Sequence, residues 1–169
     1  PRSTRKESSA ASDVYKRQIL IIEDFKTNIG SNSRLLGIDP GKKNVGIAIC
    51  DENQMVATPL KIIKKVRFEI LINEINSIIN ENAIKGIIVG NPINMDGSSG
   101  KSSQSALDFS KNLSKNITIP ISMWDERLSS EGSFKITKEL GTNSSAKVKN
   151  LDKNAAAFIL QGAIDYLKN

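Results

Sequence analysis

Three groups of carboxylates stand where this chain changes from one element to the next. Asp39 closes the apolar run Leu35 to Asp39, ahead of a Pro40-Gly41 turn and the Lys42-Lys43 pair. Asp125 and Glu126 close the run that ends at Trp124, and Arg127 follows them. Asp152 opens an alanine-rich stretch, LDKNAAAFIL. Each has an ordinary structural reading, because Asp is favoured in turns, acids in the first turn of a helix and Asp at the N-cap. Their combination in a chain without histidine points further. Histidine-based nucleophile, ribonuclease and metal chemistry are all absent, which leaves carboxylates, lysines, backbone and a metal. Mg²⁺ prefers oxygen ligands and keeps several waters, so a few carboxylates suffice to hold it. Two such ions can activate water and stabilise the leaving oxygen of a phosphodiester. Without a cation, carboxylates so gathered would repel one another.

The elements that must position these acids follow from periodicity. Leu35 to Asp39, Val45 to Cys50 and Met55 to Ala57 read as strands, the last two joined by an Asp51-Glu52-Asn53 turn. Phe68, Ile72, Ile75 and Ile79 recur at helical spacing and predict a helix over 67–82. Gly86 to Gly90 is all apolar, as in a strand covered on both faces. A helix over 101–115, a strand over 118–124 and helices over 129–140 and 152–167 complete the order β-β-β-α-β-α-β-α-α. That order predicts an α/β fold, a mixed five-stranded sheet with helices on both faces. A carboxylate at the end of a central strand of such a sheet points into the crevice where ligands bind.

Residues 1–33 are expected to be a disordered extension or artefact, with the folded domain spanning 34–169. Residues 1–18 are polar and lack an apolar period; Ile19 to Ile22 reads either as an added strand or as a remnant. The net charge of +6 invites a polyanion, but residues 1–18 hold +3 of it (Arg2, Arg5, Lys6, Lys16 and Arg17 against Glu7 and Asp13). One cysteine excludes an internal disulfide and fits a reducing cytoplasm. Apolar stretches are strand-sized, too short to cross a membrane. Lys42, Lys43, Arg127, Lys147 and Lys149 are candidate phosphate contacts or simply solvated surface, the first two favoured by their place beside Asp39. Asn94 sits in an Asn-Met-Asp-Gly turn that either grips nucleic acid or merely turns. Two Tyr and one Trp leave little for base stacking, so recognition by backbone and shape is expected.

Four segments resemble the YqgF family, the RuvC-like branch of the ribonuclease H fold: GIDPGKKNVGIAICD (37–51), IIVGNPINMDGSSG (87–100), WDERLSS (124–130) and LDKNAAAFILQGAIDYL (151–167). The resemblance spans 35–167 and implies a ribonuclease H-like domain maturing the 5′ end of pre-16S ribosomal RNA. It implies Mg²⁺ or Mn²⁺ on Asp39, Glu126 and Asp152, with Asp125 behind them. Many relatives carry an acid at the end of the strand after the first helix, where this chain has Gly90-Asn91. Three other readings remain: a Holliday junction resolvase, which needs a dimer; a non-catalytic RNA-binding assembly factor; and an actin-like ATPase, whose first phosphate loop D-x-G-x-x-x-x-G resembles (Asp39, Gly41, Gly46). The last needs two duplicated domains, and this chain has length for one.

Overall fold

A computed structural model of the chain describes residues 19–92, 100–128 and 151–168, the last with side chains from residue 154 onward. Strands β2 (Arg34–Pro40), β3 (Asn44–Cys50) and β5 (Ile84–Asn91) are buried on both faces, as their unbroken apolar runs require. With β1 (Ile19–Leu20), β4 (Ala57–Lys64) and β6 (Ile121–Asp125) they form one six-stranded sheet, ordered β1-β6-β5-β2-β3-β4. The four strands β1, β6, β5 and β2 are parallel, and β2-β3-β4 is an antiparallel meander. The register pairs Ile38 with Val89 and Asn91 with Asp125, so β2, β5 and β6 all end at one edge of the sheet. β4 is an outer strand, and Pro59, Lys61 and Lys64 blunt it against pairing with another chain.

Helices α1 (Ile22–Ile29) and α4 (Leu151–Lys168) cover one face; α2 (Phe68–Asn82) and α3 (Lys101–Asn116) cover the other. Strand alternation sorts the side chains between them. Leu36, Ile38, Ile87 and Val89 pack with Leu71, Ile75, Phe109 and Leu113 under α2 and α3. Leu35, Ile88 and Trp124 pack with Phe25, Ile159, Leu160 and Ile164 under α1 and α4.

α4 lies unusually near the sheet. A Cβ on Gly37 would come within 2.6 Å of the Leu160 Cβ and 3.0 Å of the Ala156 carbonyl oxygen, so only glycine fits there. Buried Gln161 fixes the helix lengthwise: its Nε2 donates to the Met55 carbonyl (3.0 Å) and its Oε1 accepts from the Ala57 N–H (2.8 Å). Leu167 and Lys168 border a cleft with Gln54, whose Nε2 donates to the Ser33 carbonyl ahead of β2, while Ala156 sits over mid-strand Gly37. α4 therefore runs antiparallel to β2, and its first turn lies at the edge where β2 ends.

Three expectations are corrected. The sheet has six strands, not five, because Ile19 and Leu20 pair with Ile121 and Ser122. The folded part begins before residue 33: α1 falls inside the expected extension, and Phe25 is fully buried in a slot where Gly86 has no side chain. The third strand starts at Ala57 and runs to Lys64, instead of covering 55–57. The Asp51 carboxylate is the cause, for it accepts from the N–H groups of Asn53, Met55 and Val56 and keeps them out of the ladder. The helix expected over 129–140 lies outside the described residues. Among the described residues no helix is long and apolar enough to cross a membrane. If α1 is part of the core, Phe25→Ala should destabilise the protein by about 3–4 kcal/mol and lower Tm by roughly 10 °C. Urea and thermal unfolding would check it, and an unchanged midpoint would make α1 an appendage.

Candidate active site

The period of two that sorts the core also sorts the acids. On β2, Leu35 and Gly37 face α4, and Asp39 is next in that series. On β5 the α4-facing series ends in Gly90, whose absent Cβ would lie 2.4 Å from the Ile159 Cδ1 and 3.5 Å from the Glu126 Oε1. On β6, Trp124 packs in the α4 cluster, which turns Asp125 to the other side. The chain then winds into a 3₁₀ turn, Glu126–Leu128. Glu126 is thus returned to the α4 side, into space that Gly90 leaves open.

Asp39 and Glu126 interact there. Burial raises the Glu126 carboxyl above the ordinary glutamate range, and the negative charges of Asp39 and then Asp125 raise it further. Asp125 goes the opposite way. It is held below the usual range, chiefly by its hydrogen bonds with Arg127. The Arg127 Nε lies 3.0 Å from both carboxylate oxygens, its Nη2 lies 2.7 Å from Oδ2, and its backbone N–H donates to Oδ1 at 3.0 Å. A guanidinium fork of this kind satisfies a carboxylate well. Two consecutive acids are therefore in opposite environments.

Asp152, the second residue of α4, belongs to the helix turn at this same edge. It stands four residues before Ala156, about 6 Å along the axis; Asp39 stands two residues beyond Gly37, about 7 Å along the strand. The Asp152 side chain lies outside the described residues, as do Asn94, Lys147 and Lys149. Among the described residues no group of three metal-ligating side chains forms; what they bring together is the pair Asp39 and Glu126. Lys42 and Lys43 are exposed in the turn after Asp39. Arg127, expected to meet phosphate, has its guanidinium on Asp125.

Asn91 ends β5. It belongs to the opposite face, where its Oδ1 accepts from the Ser103 hydroxyl at 2.7 Å. The reading from sequence missed Gly37, Gly90 and Gln161, which shape the site without reacting. A glycine inside a strand signals close approach of another group, and Gly37 and Gly90 offered that signal.

The T. thermophilus RuvC structure in complex with Holliday junction substrate superposes on this chain with a TM-score of 0.53 at 12% identity, over 81% of this chain and 96% of that one. The fold is RuvC-like. Residues 33–166 match the family model described as "RuvX: Holliday junction resolvase". A Pelagibacter ubique protein named "Putative pre-16S rRNA nuclease" is 52% identical over 151 residues, 89% of this chain and 100% of the relative. A Ruegeria pomeroyi protein of the same name is 39% identical over 148 residues, 88% and 96% of the two chains. The chain belongs to the RuvX (YqgF) family and is a phosphodiester-cleaving hydrolase.

The raised Glu126 carboxyl has a consequence for stability. The folded protein binds this proton more tightly than the unfolded chain does. The group therefore favours folding below the ordinary glutamate range, and that contribution is lost as pH rises through its folded value. In EDTA at pH 7, Glu126→Gln should melt above wild type by calorimetry, and the gap should close as pH falls below about 4. A variant that melts lower at pH 7 would show that the charged form is the favoured one.

Proposed function

We propose that this hydrolase cuts RNA, taking the 5′-extended precursor of 16S ribosomal RNA in the cytoplasm, with Mg²⁺ or Mn²⁺ held by Asp39, Glu126 and Asp152. The observation that carries the reading is the half-buried Glu126 carboxyl within electrostatic reach of Asp39 at the carboxyl edge of the parallel strands. Its neighbours are anionic and its donors are all oxygen, which is the chemistry that suits a hard divalent cation. A cation there would relieve the repulsion that adds to burial in raising Glu126. Divalent ions bound at such a site supply water activation and charge stabilisation at the leaving oxygen.

The remaining roles belong to the chain. Asp39 stands at the end of a central strand, its backbone paired opposite Gly46, which holds its Cα in place. Asp125 holds Arg127 beside Glu126 and fixes where that positive charge sits. Lys42 and Lys43 lie next to Asp39 and would neutralise phosphates of the bound strand. Asn94, Lys147 and Lys149 are proposed as further contacts to the RNA. The names of the Pelagibacter and Ruegeria relatives support the substrate. The matched family's description favours a second reading, cleavage of a four-way DNA junction.

Cleavage of a labelled 5′-extended 16S precursor RNA, beside a four-way DNA junction, tests both. With Mg²⁺ or Mn²⁺ the RNA should be cut, EDTA should abolish cutting, and Asp39→Asn should lower the rate by at least about a hundredfold. Cutting of the junction alone would move the substrate to DNA. Wild type and Asp39→Asn that are equally inert while binding RNA equally would leave a non-catalytic assembly factor.

A further inference from the structure

On the α3 side of the same sheet edge a cleft of about 480 Å³ starts at Pro40 and Gly41, directly after Asp39. Lys42, Lys65 and Lys101 line it, and Ser102 and Ser105 add hydroxyls from the first turns of α3. Among the described residues no carboxylate lines it. The ion pairs among the described residues are Arg34–Glu52, Lys61–Glu74 and Arg127–Asp125, so none of these three lysines is neutralised by a described acid. Lys65 is also held in place. Its backbone N–H donates to the Lys43 carbonyl at 2.8 Å, and its Nζ lies 5.6 Å from the centroid of the Phe109 ring. Phe109 is 4% exposed and meets Phe68 edge-on at 6.2 Å, so the platform under Lys65 is rigid.

Three lysines lining one concave space concentrate positive charge there, and that charge attracts a polyanion. Among the described residues the cleft offers no exposed ring for a base to stack on, since Phe109 is buried beneath Lys65. Ammonium and hydroxyl donors suit phosphate and ribose, and they read no sequence. We propose that this cleft holds the sugar–phosphate backbone of the RNA strand next to the phosphate that is cut, with Lys65 and Lys101 gripping its neighbours. The proposal rests on the reading that the chain acts on RNA and adds the path of the strand.

The test is binding of a fluorescent single-stranded 5′ segment of the 16S precursor by the full chain across a salt series, with a shuffled RNA of equal length beside it. Lys65→Gln/Lys101→Gln should flatten the slope of log affinity against log salt by about 1.4, since each contact to a single strand contributes about 0.7. Both RNAs should be affected alike, KM for cleavage should rise, and Lys65→Arg/Lys101→Arg should restore the slope. Lys26→Gln/Lys85→Gln, which removes two exposed charges elsewhere, should leave the slope as in wild type. A slope unchanged in the Lys65/Lys101 variant, a loss matched by the control, or an effect confined to the native sequence would overturn the proposal alone. Failure of the wild-type protein to bind either RNA would overturn the functional reading as well.

Discussion

The close approach of α4 to the sheet is the constraint on which the site depends. Gly37 and Gly90 leave no Cβ where Leu160 and Ile159 pack, so the helix settles directly on β2 and β5. Any side chain at Gly37 would meet the Leu160 Cβ and the Ala156 carbonyl, neither of which can move without moving the helix. Gln161 then fixes the helix along its axis by bonding the backbone ahead of β4. Depth and register together bring the first turn of α4, and Asp152 with it, to the edge where Asp39 ends β2. The missing side chain at Gly90 also opens the space that the Glu126 carboxylate borders. One packing contact thus places a helix and makes room for an acid.

The electrostatics of the edge follow from that geometry. Asp125 and Glu126 are adjacent in sequence, yet one is lowered by a guanidinium fork and the other raised by burial and by Asp39. The strand's alternation sends them to opposite faces, and the 3₁₀ turn completes the separation. Asp125 is thereby committed to organising Arg127, and Glu126 is left facing a second carboxylate. Two carboxylates so placed repel one another, and a positive charge between them would relieve that repulsion.

The same edge carries opposite charges on its two sides. The acidic pair lies under α4, and the lysine-lined cleft begins one residue beyond Asp39 on the side of α3. A polyanionic strand is attracted by the basic side, while the acidic side repels it unless a cation intervenes. This division of charge puts basic and acidic groups on either side of Asp39.

Much of this architecture was legible in the residues. Unbroken apolar runs mark β2, β3 and β5 as covered on both faces, and helical spacing marks α2, because burying apolar surface is a local demand that shows as a local period. Asp39, Glu126 and Asp152 stand at element ends, where chemistry and capping call for the same residues. Other features were not legible for want of a local signal. α1 has only Ile22, Phe25 and Ile29 at helical spacing, and its place is decided by a slot over Gly86, far along the chain. The late start of β4 depends on a carboxylate that captures three N–H groups of its own turn. The approach of Glu126 to Asp39 and the gathering of Lys42, Lys65 and Lys101 join residues distant in sequence. Sequence determined which residues could act and which elements would hold them. Tertiary structure alone decided which of them meet, because strand alternation, helix depth and close packing act between elements and leave no period along the chain.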